Sequence, residues 1–142
     1  MQCIKYRAGY KYQINANYSV AIPIKPAADI ITEYISLNTQ GLLSLKEGYA
    51  WDGPSGLTID TLTFMRGSLI HDALYQLMRE SKLDRNIHRE NADKILRDIC
   101  IEDGMWSFRA WYVYQAVRLF AKEFADPAHD HPVILAPQGC QP

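Results

Sequence analysis

Two helical patterns joined by a short polar link place the strongest constraint on the fold of this chain. Apolar side chains recur at helical spacing over residues 62–80 and again over residues 86–102, which is typical of helices that pack against a core. Residues 81–85 form the link, and helices joined by so few residues pack as antiparallel neighbours. The sequence therefore predicts an antiparallel helix pair.

Short strands are predicted before this pair, and a further helix after it. Residues 1–50 contain runs that alternate in polarity or carry β-branched side chains. Two of these runs, at 34–37 and 42–45, flank residues 38–41, whose composition suits a hairpin connection. Residues 106–125 again follow helical spacing.

The predicted fold class is α+β: an N-terminal antiparallel β-sheet followed by a three-helix core with an antiparallel helix pair. A chain of 142 residues, of which 48 % are hydrophobic, suits one domain with a substantial core. We expect this single domain to span residues 1–125. Within it we expect a β region at residues 1–50, a loop at residues 51–61 and a helical region at residues 62–125. A Pro-rich C-terminal tail, residues 126–142, follows the domain.

Charge and cysteine content exclude several classes of protein. The net charge of −1 argues against broad electrostatic binding to nucleic acid. Cys3, Cys100 and Cys140 are far apart and odd in number, so we expect reduced thiols, with Cys100 buried in a helix. The N-terminus has no signal-peptide pattern, and no apolar run approaches the ~20 residues of a membrane span. We therefore expect neither export nor a transmembrane segment.

Polar residues inside the first predicted helix are informative because that helix is apolar over a wide face. Neighbours on a helix point about 100° apart, whereas residues i and i+4 share a face. His71 therefore shares its face with Tyr75, while Asp72 turns towards a different neighbour. A histidine acts as a general base when a carboxylate orients its other nitrogen. Asp93, near the middle of the antiparallel second helix, lies at the height of His71 and is the best candidate for that carboxylate.

The predicted loop before this helix has a composition that suits cation binding. It contains Asp52, and the backbones of Gly53 and Gly56 can turn towards a ligand. A hard cation such as Ca²⁺ takes carboxylate and carbonyl oxygens, and Asp72 together with this loop would supply several. The alternative is an ordinary turn from strand to helix.

A His-Asp dipeptide by itself is common, and its usual role is structural. The loop and Asp93 are what favour a functional site here. Arg89 and Arg118 are predicted to be solvated helix charges. A metal phosphohydrolase of the type named for its His-Asp motif is the least favoured reading, because no histidine precedes His71 to act as an upstream ligand.

Two motifs give the chain a first family resemblance. Residues 48–58 read Gly-Tyr-Ala-Trp-Asp-Gly-Pro-Ser-Gly-Leu-Thr, and residues 71–75 read His-Asp-Ala-Leu-Tyr. With these motifs the span 41–118 resembles a phage- and prophage-associated family of unknown function. The resemblance implies a phage protein and carries no mechanism.

A second, more remote resemblance does carry a mechanism. The order Asp-Gly-x-Ser, then His-Asp-x-x-Tyr, then an Asp on a following helix is similar to the bacterial and fungal branch of secreted phospholipase A2. Those enzymes are disulfide-bonded and lack the N-terminal β region predicted here. The site residues that the resemblance implies are Asp52, Gly53 and Asp72 for a Ca²⁺ cofactor and His71, Asp93 and Tyr75 for catalysis.

The resemblance implies a division of roles among these residues. His71 activates water, Asp93 orients His71, and Tyr75 supports Asp93. The leading hypothesis is a phage-encoded, Ca²⁺-assisted hydrolase of lipid esters that acts on phospholipid in the host envelope. The alternative is a non-catalytic virion, tail or assembly component, in which the His-Asp network is structural and other phage structural proteins are the partners. We expect the protein in the host cytoplasm on synthesis or in the virion.

Overall fold

The computed structural model of the protein describes residues 4–6, 12–51, 62–129 and 134–136. Within these residues the chain forms antiparallel β-sheets followed by three α-helices. The α+β class predicted from the sequence is therefore confirmed.

All the described strands are short. They are β1 (Ile4–Tyr6), β2 (Tyr12–Gln13), β3 (Tyr18–Ala21), β4 (Ile30–Ile31), β5 (Ile35–Leu37), β6 (Leu42–Leu45), β7 (Ala50–Trp51) and β8 (Ile134–Ala136). Four of them form one antiparallel sheet in the order β3-β6-β5-β4. The others form two-stranded sheets, in which β1 pairs with β8 and β2 pairs with β7.

The hairpin between β5 and β6 is the one that the sequence predicted at residues 38–41. Oδ1 of Asn38 accepts hydrogen bonds from the backbone amides of Gln40 at 3.0 Å and Leu42 at 2.9 Å. Gly41 has a φ of +86°, and a Cβ at this position would lie 2.4 Å from the carbonyl oxygen of Ile22. Glycine is therefore required here both by the backbone conformation and by the close approach of the chain just after β3.

The C-terminal segment is more ordered than the sequence indicated. It was expected to be an irregular tail, but its described part contains strand β8, which pairs with β1 from Ile4↔Ala136 to Tyr6↔Ile134. Two short 3₁₀ helices, Lys122–Ala125 and Pro127–His129, precede it. The three residues of β8 are apolar, and each of them pairs with a residue of β1.

The three helices are α1 (Leu62–Arg79), α2 (Arg85–Glu102) and α3 (Ser107–Phe120). The predicted bounds of α1 and α2 are correct to one residue at each end, whereas α3 ends earlier than predicted and is followed by a 3₁₀ helix. Oδ1 of Asp84 caps α2 by accepting hydrogen bonds from the backbone amides of Asn86 at 2.8 Å and Ile87 at 3.4 Å.

Helices α1 and α2 pack closely where Gly67 faces α2. A Cβ at Gly67 would lie 3.0 Å from Sγ of Cys100 and 3.0 Å from Cδ1 of Leu96. Cys100 is a buried free cysteine, as predicted, and burial raises the pKa of its thiol to about 12. The absence of a side chain at Gly67 thus sets the distance between the two helices that carry the predicted site.

An arginine on α1 connects the helices to the sheet. Arg66 donates to both carboxylate oxygens of Asp103, at the C-terminal end of α2, and Nη1 donates to Oη of Tyr18 in β3 at 3.1 Å. These bonds raise the pKa of Arg66 above its ordinary value. None of the described helices combines the length and the hydropathy that a membrane span needs.

Candidate functional site

A carboxylate with no solvent exposure lies between the three helices. Asp93, on α2, has 0 % relative exposure. Its Oδ1 lies 2.7 Å from Nε2 of His71 and accepts a hydrogen bond from Oη of Tyr75 at 2.6 Å. Its Oδ2 accepts from Nη1 of Arg118, on α3, at 2.9 Å. One side chain of α2 is therefore bonded to side chains of both neighbouring helices.

His71 and Tyr75 reach the same oxygen because they lie one turn apart on α1. Residues i and i+4 share a helix face, and the two rings are 4.1 Å apart between centroids, with 34° between their planes. The contact between His71 and Asp93 that the antiparallel helix pair predicted is thus present. Its catalytic role stays a prediction.

Two arginines complete the cluster, and for both the sequence prediction was wrong. Arg89 and Arg118 were expected to be solvated charges, but Arg118 binds Asp93 and Nε of Arg89 donates to Oη of Tyr75 at 3.1 Å. Nη2 of Arg89 also donates to the carbonyl oxygens of Val117 and Arg118, each at 2.9 Å. Both side chains are long enough to reach from the edge of a helix into the interface.

Charge and burial decide the protonation of the cluster. Burial by itself would raise the pKa of Asp93, but hydrogen bonds from His71, Tyr75 and Arg118 outweigh burial and hold that pKa below its usual range. Burial, together with the charge of Asp93, raises the pKa of Tyr75 well above its ordinary value. Tyr75 is therefore a neutral phenol that donates to an ionised carboxylate.

This protonation fixes the chemistry of the imidazole. An ionised carboxylate only accepts hydrogen bonds, so Nε2 of His71 carries the proton that faces Asp93. In the neutral ring the lone pair then lies on Nδ1. The side chain of His71 is 8 % exposed, whereas that of Asp93 has no exposure. The imidazole therefore lies at the edge of the core, and the carboxylate that binds its Nε2 lies inside the core.

Asp72 lies on a different face of α1, as predicted. Ser68 and Gln76 are one turn before and one turn after it, and both bind the segment around β7. Nε1 of Trp51 donates to Oγ of Ser68 at 3.1 Å, and Oη of Tyr49 donates to Oε1 of Gln76 at 3.1 Å. The partly buried Asp72 is therefore on the face of α1 that holds the chain immediately before Asp52.

The other predicted metal ligands, Asp52 and Gly53, lie outside the described residues. Among the residues that are described, no cluster of three or more His, Cys, Asp or Glu side chains could hold a metal ion. Asp72 is thus the single predicted calcium ligand whose position is known. A carboxylate and a loop carbonyl remain the oxygen donors that Ca²⁺ prefers.

The arginines that the prediction missed had a partial signal in the sequence. Arg89 is four residues before Asp93 and therefore shares its face of α2, which placed it beside the predicted site. Arg118 gave no such signal, because its contact depends on how α3 crosses α2. Sequence periodicity gives the face of a helix but not this crossing.

The fold and the site together define an α+β domain with a buried carboxylate that joins an imidazole, a phenol and a guanidinium. The chain belongs to the family described as Protein of unknown function (DUF1353), whose model matches residues 33–117. This span runs from the start of the β5–β6 hairpin to α3 and includes His71, Tyr75 and Asp93. No curated protein and no solved structure matches the chain.

Proposed function

We propose that the protein is an ester hydrolase with a phospholipase A2-like site, in which His71 activates water for attack on a phospholipid. The observation that carries this proposal is the 2.7 Å contact between Nε2 of His71 and the buried carboxylate of Asp93. It leaves Nδ1 as the acceptor of a proton, which is the arrangement that a general base requires. The order of motifs along the sequence supports the same class of chemistry.

The reaction follows from this geometry. As the oxygen of a water molecule attacks the ester carbonyl carbon, Nδ1 of His71 takes a proton from it, and the ionised Asp93 stabilises the resulting imidazolium. When the bond between the carbonyl carbon and the alkoxy oxygen breaks, the imidazolium returns the proton to the leaving oxygen. The products are a fatty acid and a lysophospholipid, and the histidine is restored to its neutral form.

A calcium ion belongs to the same proposal. Asp72, together with Asp52 and the carbonyl oxygen of Gly53, would hold it, since carboxylate and carbonyl oxygens are the donors that a hard cation takes. When bound, the ion would supply positive charge for the carbonyl oxygen of the ester. The hydrogen bonds of Trp51 and Tyr49 support this ligand set, because they hold the chain before Asp52 on the face of α1 that carries Asp72.

The biological setting of the proposal is a phage or prophage. The resemblance of residues 48–58 and 71–75 to phage-associated proteins supports it. A phage hydrolase of this kind would act on phospholipids of the host envelope, either from the host cytoplasm or as part of the virion.

The test is the turnover of a fluorogenic phospholipid with Ca²⁺ and with EDTA. We expect activity in the wild-type protein with Ca²⁺, a loss of at least roughly 100-fold in His71→Ala because a general base contributes on that scale, and little change in His88→Ala. His88 is the matched control, because it is a partly exposed histidine on α2. Equal turnover in wild type and His71→Ala would refute the proposal.

A second candidate function is supported by the hydrogen bonding of Asp93. Three side chains donate to this carboxylate, and Arg89 in addition links the hydroxyl of Tyr75 to the carbonyl oxygens of Val117 and Arg118 on α3. Such a network can be purely structural, as in a virion, tail or assembly component that binds other phage proteins. This alternative predicts that His71→Ala loses stability while the wild type shows no Ca²⁺-dependent turnover.

A further inference from the structure

Helix α3 presents an uncharged apolar face to solvent. Five residues at helical spacing form this surface, which we call the outer face of α3: Phe108, Trp111, Tyr112, Gln115 and Leu119. The exposed fractions are 78 % for Phe108, 53 % for Trp111, 53 % for Tyr112 and 72 % for Leu119. The rings of Phe108 and Trp111 are neighbours, with 6.2 Å between their centroids.

The opposite face of the same helix is also apolar. Ala110, Val113, Ala116 and Val117 are buried against the body of the protein. A surface helix normally carries charged side chains opposite its buried face, and a helix that is apolar all round is normally covered on both sides. The outer face of α3 therefore has the composition of a contact surface.

The size of this face is sufficient for a specific contact. With ~150–250 Å² for a large side chain, the exposed fractions of Phe108, Trp111, Tyr112 and Leu119 amount to roughly 500 Å². A symmetric contact between two copies would then bury roughly 1,000 Å², which reaches the lower limit of specific interfaces.

We propose that the outer face of α3 binds the same face of a second copy, so that the protein forms a dimer with two-fold symmetry. In an antiparallel arrangement of the two helices, Phe108 lies opposite the partner's Leu119, and Tyr112 lies opposite the partner's Gln115. The first pairing is apolar, and the second joins a hydroxyl to an amide that can hydrogen-bond with it. Because the face carries no charge, two copies meet without repulsion, as an isologous contact requires.

A lipid surface fits this face less well. Helices that lie on membranes carry Lys and Arg on a polar face opposite their apolar face, whereas the side of α3 opposite its outer face is buried and apolar. Of the two arginines on α3, Arg118 is bound to Asp93. The net charge of −1 gives no general attraction to anionic lipid.

The experiment measures self-association by sedimentation velocity across a dilution series. We expect a monomer–dimer equilibrium with a dissociation constant on the order of micromolar, because the interface is at the small end of the range. Phe108→Lys and Leu119→Glu should each weaken association by at least roughly tenfold, since each puts a charge against an apolar side chain. Ile31→Lys, at a strand residue with 79 % exposure, is the matched control and should leave association unchanged.

The double variant Phe108→Lys with Leu119→Glu tests the pairing itself. In the antiparallel arrangement it puts a lysine opposite a glutamate at both ends of the contact, so the double variant should associate more tightly than either single variant. Circular dichroism spectra should show the same helix content in all variants, because the substituted residues are exposed and the fold does not depend on them.

Two results would overturn the proposal. One is a wild-type protein that stays monomeric over the whole dilution series. The other is association that is equally strong in the wild type, Phe108→Lys and Leu119→Glu. Vesicles of phosphatidylcholine and phosphatidylglycerol are mixed with the same proteins, and binding by a monomeric wild type that is lost in Phe108→Lys would identify the face as a lipid contact instead. The outcome is independent of the proposed hydrolysis, which depends on other residues.

Discussion

The hydroxyl of Tyr75 lies 2.6 Å from Oδ1 of Asp93, although the two residues belong to different helices. The same hydroxyl accepts a hydrogen bond from Arg89 at 3.1 Å. Through these two hydrogen bonds, Tyr75 connects the positively charged Arg89 to the negatively charged Asp93, both on α2. Removal of this hydroxyl tests how much of the stability of the helix pair depends on these two hydrogen bonds.

Tyr75→Phe should lower the free energy of unfolding by about 1–3 kcal/mol. The substitution keeps the ring but removes one donor to a buried carboxylate and one acceptor for Arg89. Urea unfolding followed by circular dichroism measures the change. Tyr34→Phe is the control, because Tyr34 lies between β4 and β5 with 40 % exposure, and the loss of its hydroxyl should change the free energy by less than about 0.5 kcal/mol.

Asp93→Ala should destabilise the protein more strongly than Tyr75→Phe. The loss of the carboxylate leaves His71, Tyr75 and Arg118 without their shared partner, and breaking a buried pair in this way typically costs about 3–5 kcal/mol. We expect the lower end of that range, because the side chain of Arg118 is 30 % exposed and water can solvate its charge. A loss below that of Tyr75→Phe would contradict the central role assigned to Asp93.

The stability of the protein should fall at acid pH in part because Asp93 becomes protonated. The pKa of Asp93 is lowered in the folded protein, so its contribution is fully present above the unfolded pKa of about 3.9. It is lost as the pH falls from that value through the folded pKa. The difference in unfolding free energy between wild type and Asp93→Asn should therefore start to shrink as the pH falls below the unfolded pKa, and it should be smallest below the folded pKa. A constant difference across this range would contradict the lowered pKa.

Gly67→Ala should destabilise the protein although alanine is the better helix former. Helix propensity favours alanine by about 1 kcal/mol, but the new Cβ would lie 3.0 Å from both Cys100 and Leu96. Overpacking of a core costs about 1–3 kcal/mol, so we expect a net loss. In a Cys100→Ala background the same substitution should cost less, and an unchanged cost would show that Cys100 is not the obstacle.

The helix pair could be predicted from the sequence because the patterns that specify it lie within short stretches of the chain. Apolar spacing gave the bounds of α1 and α2, and the short link between them gave their antiparallel packing. That packing was enough to predict the contact between His71 and Asp93. The Asn38 hairpin was predictable for the same reason, since its turn chemistry lies within a few residues.

The parts that the sequence did not reveal depend on contacts between distant elements. Strand β8 pairs with β1 across almost the whole length of the chain, and an apolar run of only three residues was too short to indicate a strand. Arg118 reaches Asp93 only because of the angle at which α3 crosses α2. The predicted loop ligands Asp52 and Gly53 lie outside the described residues, so that part of the site stays a prediction.

The pairing of β1 with β8 has a practical consequence for handling the protein. Ile4 lies beside Ala136, so the two ends of the described chain are neighbours. A short linker could close them, and the chain could be reopened at the polar turn between α1 and α2 to give a circular permutant.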